Sequence, residues 1–161
     1  MTDQPATTDQ TIPEDEAVSI EFVTVASEEH GHKIVLKEKP DSQGQVEMFI
    51  GGSEFASIAK ELGLIDSPRP LTHEVYFQLM DGLEVSFQRL EIYGLKENAY
   101  LARLYFTKKG QSQAMEIRPS DGVAMALRQK MPIVLNKRLL RGILSPQDRE
   151  TLNDLVKEVK F

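Results

Sequence analysis

The sequence predicts a single compact α+β domain with a mixed, mostly antiparallel sheet and flanking helices. Three observations carry that expectation. Stretches of alternating apolar and polar residues, each of strand length, are interleaved with segments at helical spacing. Tight turn chemistry, such as Lys-Lys-Gly-Gln at 108–111, joins neighbouring strands as antiparallel hairpins do. The 161 residues, 40% of them apolar, suffice for one core.

The elements follow in order. Residues 1–17 hold five acids and no Lys or Arg, with Pro5 and Pro13 among them. Such a segment buries too little to order itself and reads as a disordered acidic tail. The domain itself spans 18–143. Residues 18–26 set Ile20, Phe22 and Val25 among polar residues as a first strand, and 33–38 and 45–50 are the second and third. Gly51-Gly52 ends the third, and 53–62 reads as a helix with Ser53 as N-cap and Glu54 in its first turn. A loop over 63–71, with Pro68 and Pro70, leads to a helix over 72–82. Its apolar stripe is Val75, Leu79, Tyr76 and Met80 at four-residue spacing. Strands are expected over 83–93, 99–107 and 112–117. A helix over 119–130, a strand over 132–135 and a short helix over 137–143 follow. Ser145, Pro146 and Asp148 open a C-terminal helix within 144–161, striped by Leu152, Leu155 and Val159.

A shift of 67 residues lays 18–61 on 85–128 without a gap. Met48-Phe49-Ile50 meets Met115-Glu116-Ile117, and Ser53-Glu54 meets Ser120-Asp121. Three strands run into a helix in both copies, which points to an internal duplication of a three-strand-plus-helix unit.

Composition narrows the function. No apolar run approaches the ~18 residues of a membrane span. The N-terminus lacks the basic and apolar regions of a signal peptide, so a cytoplasmic setting is expected. Without cysteine there are no disulfides, thiolate metal sites or thiol nucleophiles. The net charge is -6, but 103–141 holds nine basic residues against Glu116 and Asp121. That stretch offers a basic face to an anionic partner. The plainer reading is ordinary solvated surface.

Two segments are candidates for chemistry: Pro68-Arg69-Pro70-Leu71-Thr72-His73-Glu74 and Arg118-Pro119-Ser120-Asp121. Each sets an Arg beside a Pro, then a hydroxyl residue at a helix start, then a carboxylate in the first turn. A helix N-terminus suits phosphate, and an Arg held by a stiff Pro adds a bidentate clamp. His73 is the proton-transfer candidate. Asp121, Glu74 and Glu54 are candidate ligands for a divalent cation. Structure alone explains the same residues: Thr72 and Ser120 as N-caps, Glu74 and Asp121 as dipole-matched acids, and Arg118 as a pin between loops.

PRPLTHE at 68–74 and RPSDGVAMALR at 118–128 resemble the two signature segments of the bifunctional nuclease domain family. IVLKEK at 34–39 and IGGSEFASIA at 50–59 are similar to it too. The resemblance implies an α+β domain, a homodimer, and hydrolase activity as a DNase and RNase on nucleic acid. Its positions fall on Arg69, Pro70, Thr72, His73 and Glu74, and on Arg118, Pro119, Ser120 and Asp121. Glu74 stands where the family has Asp, and Gly122 where it has Ala, which loosens the first helical turn. The implied site is a metal-dependent nuclease. His73, Glu74 and Asp121 would be catalytic, Arg69, Thr72, Arg118 and Ser120 would hold phosphate, and Asp121, Glu74 and Glu54 would hold Mg²⁺ or Mn²⁺. The alternative is a non-catalytic dimeric regulatory or scaffold module whose paired loops bind an anion or small ligand.

Overall fold

The computed structural model describes residues 11–141. The strands and helices are β1 (Ala17–Ser19), β2 (Phe22–Glu28), β3 (Gly31–Lys37), β4 (Gln45–Ile50), α1 (Gly52–Glu61), α2 (Thr72–Met80), β5 (Val85–Lys96), β6 (Ala99–Lys108), β7 (Gln111–Ile117), α3 (Pro119–Gln129) and β8 (Ile133–Asn136). They form two sheets where the sequence suggested one. β2-β3-β4 is an antiparallel meander. The larger sheet has the order β1-β8-β5-β6-β7 and is antiparallel except for the β5–β8 pair. The C-terminal helix expected within 144–161 lies outside the described residues.

The strand expected over 18–26 is two strands that belong to different sheets. β1 pairs with β8 and β2 with β3. The crossing falls at Ile20-Glu21, where the Ile20 N–H donates to the Ile133 carbonyl (2.9 Å) and the Glu21 N–H to that of Glu38 (3.1 Å). Apolar alternation runs through the crossing because Ile20 is itself buried, so the pattern has no break to betray the change of sheet. The ordered body also begins earlier than residue 18. Ile12 is buried, Glu14–Glu16 form a 3-10 turn, and Glu16 pairs with Arg138.

The 67-residue repeat is visible in the architecture. β2-β3-β4-α1 and β5-β6-β7-α3 are each an antiparallel meander running into a helix. α1 begins at Gly52 and α3 at Pro119. The two helices pack on one another, α1 against β2 and β3 and α3 against β5 and β6. One core forms between the layers. Ile34, Leu36 and Val46 come from the small sheet, Leu90, Ile92, Leu104 and Leu135 from the large one, and Ile58 and Val123 from the helices. Each is almost fully buried, and each such side chain stabilises by about 1.5–3 kcal/mol.

Gly122 has a packing reason in place of a loosened turn. A Cβ built there would lie 2.4 Å from Leu90 Cδ1 and 3.0 Å from Cδ2. Leu90 is fully buried and cannot swing into solvent. Gly122→Ala is therefore expected to lower Tm in calorimetry: overpacking costs about 1–3 kcal/mol, against a helix-propensity gain of about 1. An unchanged or higher Tm would show that Leu90 has room to repack.

Most of the apolar stripe on α2 faces outward. Glu74 and Phe77 face inward, with Phe77 edge-on to Phe87 at 5.4 Å. Val75, Tyr76 and Leu79 are exposed, as are Leu64 and Ile65 before the helix and Leu83 after it.

Candidate functional site

Three carboxylates occupy the third position of the three helices: Glu54 in α1, Glu74 in α2 and Asp121 in α3. That position lies in the positive first turn, which favours an acid. The helices start earlier than their hydroxyl residues suggest. Gly51, Leu71 and Arg118 are the N-caps, and none supplies a side-chain cap. Ser53 and Ser120 thus sit second in their helices and Thr72 first. At α2 the missing cap is supplied by Glu74, whose Oε2 accepts the Leu71 N–H at 2.9 Å. At α1 the Glu54 side chain folds back over Gly51, where an added Cβ would come within 2.4 Å of Oε2. Only glycine leaves that space.

The packing of α1 on α3 brings Glu54 and Asp121 to one guanidinium. Arg118 Nη2 donates to Glu54 Oε1 (2.6 Å) and Asp121 Oδ1 (3.0 Å), and Nε donates to Asp121 Oδ2 (2.6 Å). Asp121 then meets His73 from α2, with Nε2 to Oδ1 at 3.3 Å. The other ring nitrogen, Nδ1, lies 2.8 Å from Ser57 Oγ on α1. A carboxylate only accepts, so in the neutral imidazole Nε2 carries the hydrogen and Nδ1 accepts the Ser57 O–H. A continuous chain of hydrogen bonds therefore links Arg118, Asp121, His73 and Ser57 across three helices.

Glu74 lies one step away in a second cluster. Lys60 Nζ donates to its Oε2 at 2.7 Å, and Arg128 stands 3.3 Å from Oε1 and 3.4 Å from Glu61. Between the clusters is a small cleft lined by Ser57, Lys60, Leu71, His73, Glu74 and Ala124. The Leu71 amide, then the Lys60 ammonium, hold the Glu74 carboxyl below its usual range. Glu54 is likewise held low, first by its own backbone N–H and then by Ser53 and Arg118, against the opposing effect of burial. Asp121 and Glu54 raise Arg118 above the ordinary guanidinium value.

Of the sequence candidates, the structure brings together His73, Asp121, Arg118 and Glu54. It sets Glu74 beside them, on Lys60. It does not bring in the others expected to hold phosphate. Arg69 is exposed, and its side chain has no partner among the described residues; Thr72 is exposed, and Ser120 is buried inside α3. The three proposed metal ligands do not form one donor set, and no group of three or more such residues stands close enough for a metal among the described residues. Sequence reasoning missed Ser57, Lys60 and Arg128. Ser57 follows Glu54 by three residues, and both are buried with Ile58 on the inner face of α1. A serine at a core-facing helical position was the available signal.

The arginines of the basic stretch at 103–141 are largely paired with acids. Arg103 pairs with Glu116, Arg118 with Glu54 and Asp121, Arg128 with Glu61 and Glu74, and Arg138 with Glu16. Most of those acids come from the first half of the chain, so part of the local excess in sequence is offset in space, while Lys108, Lys109 and Lys130 stay exposed.

A family model described as the bifunctional nuclease domain matches residues 34–146. The chain belongs to that family. The two segments 68–74 and 118–121 thus meet in one cluster, the first through His73, the second through Arg118 and Asp121. An uncharacterised protein of Mycobacterium tuberculosis strain H37Rv is 34% identical over 119 residues, covering 73% of this chain and 71% of that protein. Bifunctional nuclease 1 of Oryza sativa subsp. indica is 27% identical over 111 residues, 67% of this chain and 34% of that protein. Bifunctional nuclease 1 of Arabidopsis thaliana is 30% identical over 74 residues, 44% and 23%. The chain thus spans about a third or less of these plant bifunctional nucleases. No helix among the described residues is long and apolar enough to cross a membrane.

Proposed function

We propose that this chain hydrolyses phosphodiester bonds of DNA or RNA at the Arg118–Asp121–His73 cluster. One observation carries the reading: a histidine oriented by a carboxylate lies beside an arginine whose side chain is 69% exposed. Arg118 Nη1, which makes no hydrogen bond among the described residues, suits a phosphate oxygen. His73, held by Asp121, moves the proton that bond cleavage requires. Glu54 and Asp121 are the carboxylates that would hold Mg²⁺ or Mn²⁺ once Arg118, which now lies between them, turned to the substrate. Mg²⁺ is commonly held by one or two carboxylates, with waters and substrate phosphate completing its shell. Bound there, the ion would polarise a phosphoryl oxygen. Glu74 is committed to capping α2 and to Lys60, and stands outside that pair. The names of the plant relatives support the same class of activity. Labelled single- and double-stranded DNA and RNA, incubated with Mg²⁺, Mn²⁺ or EDTA, test the reading. Cleavage by the wild type that a folded Asp121→Ala protein purified alongside lacks is the expected result. Equal traces in both, or none, overturn it; activity that survives EDTA removes the metal alone.

The exposed apolar face of α2 favours a dimer, whether the chain is catalytic or a regulatory module. Val75, Tyr76 and Leu79 form a patch with Leu83, and such a patch on a small domain marks an interaction surface. Sedimentation equilibrium is expected to show a dimer for the wild type and a folded monomer for Leu79→Glu. A wild type that is monomeric at tens of micromolar would refute this assignment.

A further inference from the structure

We infer that Ser57 is the nucleophile of this site. The inference rests on the phosphodiesterase reading for its substrate and supplies what that reading lacks, the atom that attacks phosphorus. Ser57 lies in the middle of α1, where an unoccupied serine hydroxyl commonly bonds back to its own helix. Here it meets His73 Nδ1 at 2.8 Å. The far nitrogen of the same ring is held by Asp121, which Arg118 fixes in turn through two of its nitrogens. Nucleophile, base and orienting carboxylate are thus in sequence, the arrangement that activates a serine on unrelated folds and is recognised by geometry rather than chain order. The three residues come from three helices, and Ser57 and His73 both line the cleft. Lys60 lies three residues beyond Ser57 on the same helix face and lines that cleft too. Its ammonium is engaged with the Glu74 carboxylate at 2.7 Å. The structural account of Ser57, a hydroxyl that ties α1 to α2, explains the contact to His73. It does not explain why that histidine is further aligned by an acid that is itself doubly held.

The step balances. Ser57 Oγ forms a bond to phosphorus as its proton passes to His73 Nδ1. The bond from phosphorus to the departing sugar oxygen breaks, and the imidazolium returns the proton to that oxygen. Water then attacks the phosphoseryl group, His73 takes a proton from it, and Ser57 leaves with the proton restored.

A fluorophosphonate tests the nucleophile without nucleic acid. Ser57 Oγ would displace fluoride from phosphorus and leave a stable adduct on the full chain, read by intact mass and peptide mapping. One adduct per chain at Ser57 is expected, absent in Ser57→Ala and formed at least tenfold more slowly in Asp121→Asn. No adduct on the folded wild type, or one that persists in Ser57→Ala, overturns the proposal. The chain has no cysteine, so Ser57→Cys introduces a single thiol that gives a second readout. Its alkylation by iodoacetamide at neutral pH should be at least tenfold faster than in Ser57→Cys combined with His73→Ala, because a neighbouring imidazole promotes the thiolate. Equal rates count against activation by His73. The nucleophile and the nuclease fail separately. If folded Ser57→Ala cleaves nucleic acid at the wild-type rate, Ser57 is not the nucleophile and the nuclease reading stands. If the wild type carries the adduct but cleaves no nucleic acid, the nuclease reading falls and Ser57 serves a different ester.

Discussion

Asp121→Asn is expected to reduce the cleavage rate by about 10²–10⁴-fold while leaving the fold intact, the range lost when a general acid–base group is disabled or its orienting carboxylate becomes an amide. The change keeps the side chain's shape and removes its charge. An amide offers a donor as well as an acceptor, so it no longer dictates that His73 Nε2 carries the hydrogen. Nδ1 is then free to become the protonated nitrogen and lose its capacity to accept a proton at the Ser57 side. Arg118 loses one of its two carboxylates and keeps Glu54 as its only anionic partner. Both effects act on the reacting groups and neither touches the core. The loss should therefore appear in kcat with far-UV circular dichroism and Tm close to wild type. A variant that retains more than a tenth of the wild-type rate would mean that Asp121 does not orient a working histidine.

Glu74→Ala, in contrast, should act on stability, by about 3 kcal/mol, the lower end of what removing one partner of a buried ion pair costs. Its side chain is 11% exposed and that of Lys60 19%. Deleting the carboxylate leaves the ammonium with only the Ser67 carbonyl at 3.4 Å and the Leu71 N–H at the start of α2 unpaired. Arg128 can turn to Glu61 and loses less. A loss of that size lowers Tm by roughly 10 °C in a domain of this length. Glu74→Gln tests the charge separately. Glu54 and Glu74 both have folded-state pKa values below the ordinary 4.5, so the folded chain binds fewer protons than the unfolded one on the acid side. Their contribution is whole above the unfolded value and is lost as pH falls through the depressed folded values. Wild-type Tm should therefore drop as pH falls below about 5, and Glu74→Gln should flatten that drop. Parallel curves for the two proteins would assign the acid sensitivity elsewhere.

Much of the architecture was legible along the chain. The hairpins declared themselves through turn residues, the repeated order of strands and helix through the 67-residue shift, and α3 through Pro119 and the apolar positions that follow. The errors have physical causes. The strand read over 18–26 changes sheets at Ile20, and burial on both sides of the crossing keeps the alternation intact. The periodicity of α2 reports one apolar face without saying what covers it, and most of that face is exposed. The inward face instead carries Glu74, whose burial depends on Lys60, 14 residues away in sequence.

Residue types and local order by themselves determined the α+β class, the family, and the candidates His73, Glu74, Arg118 and Asp121. These are matters of periodicity, capping and short motifs, which act over a few residues. Only the tertiary structure decided which candidates meet. It placed Glu54, 64 residues from Arg118, on the same guanidinium as Asp121, sent Glu74 to Lys60, left Arg69 outside, and set Ser57 against His73. It also paired Arg118, Arg128 and Arg138 of the basic stretch with acids from the first half of the chain. The reason is that hydrogen bonds and ion pairs act over about 3 Å, and the packing of α1 on α3, with α2 beside them, determines which side chains come within that distance.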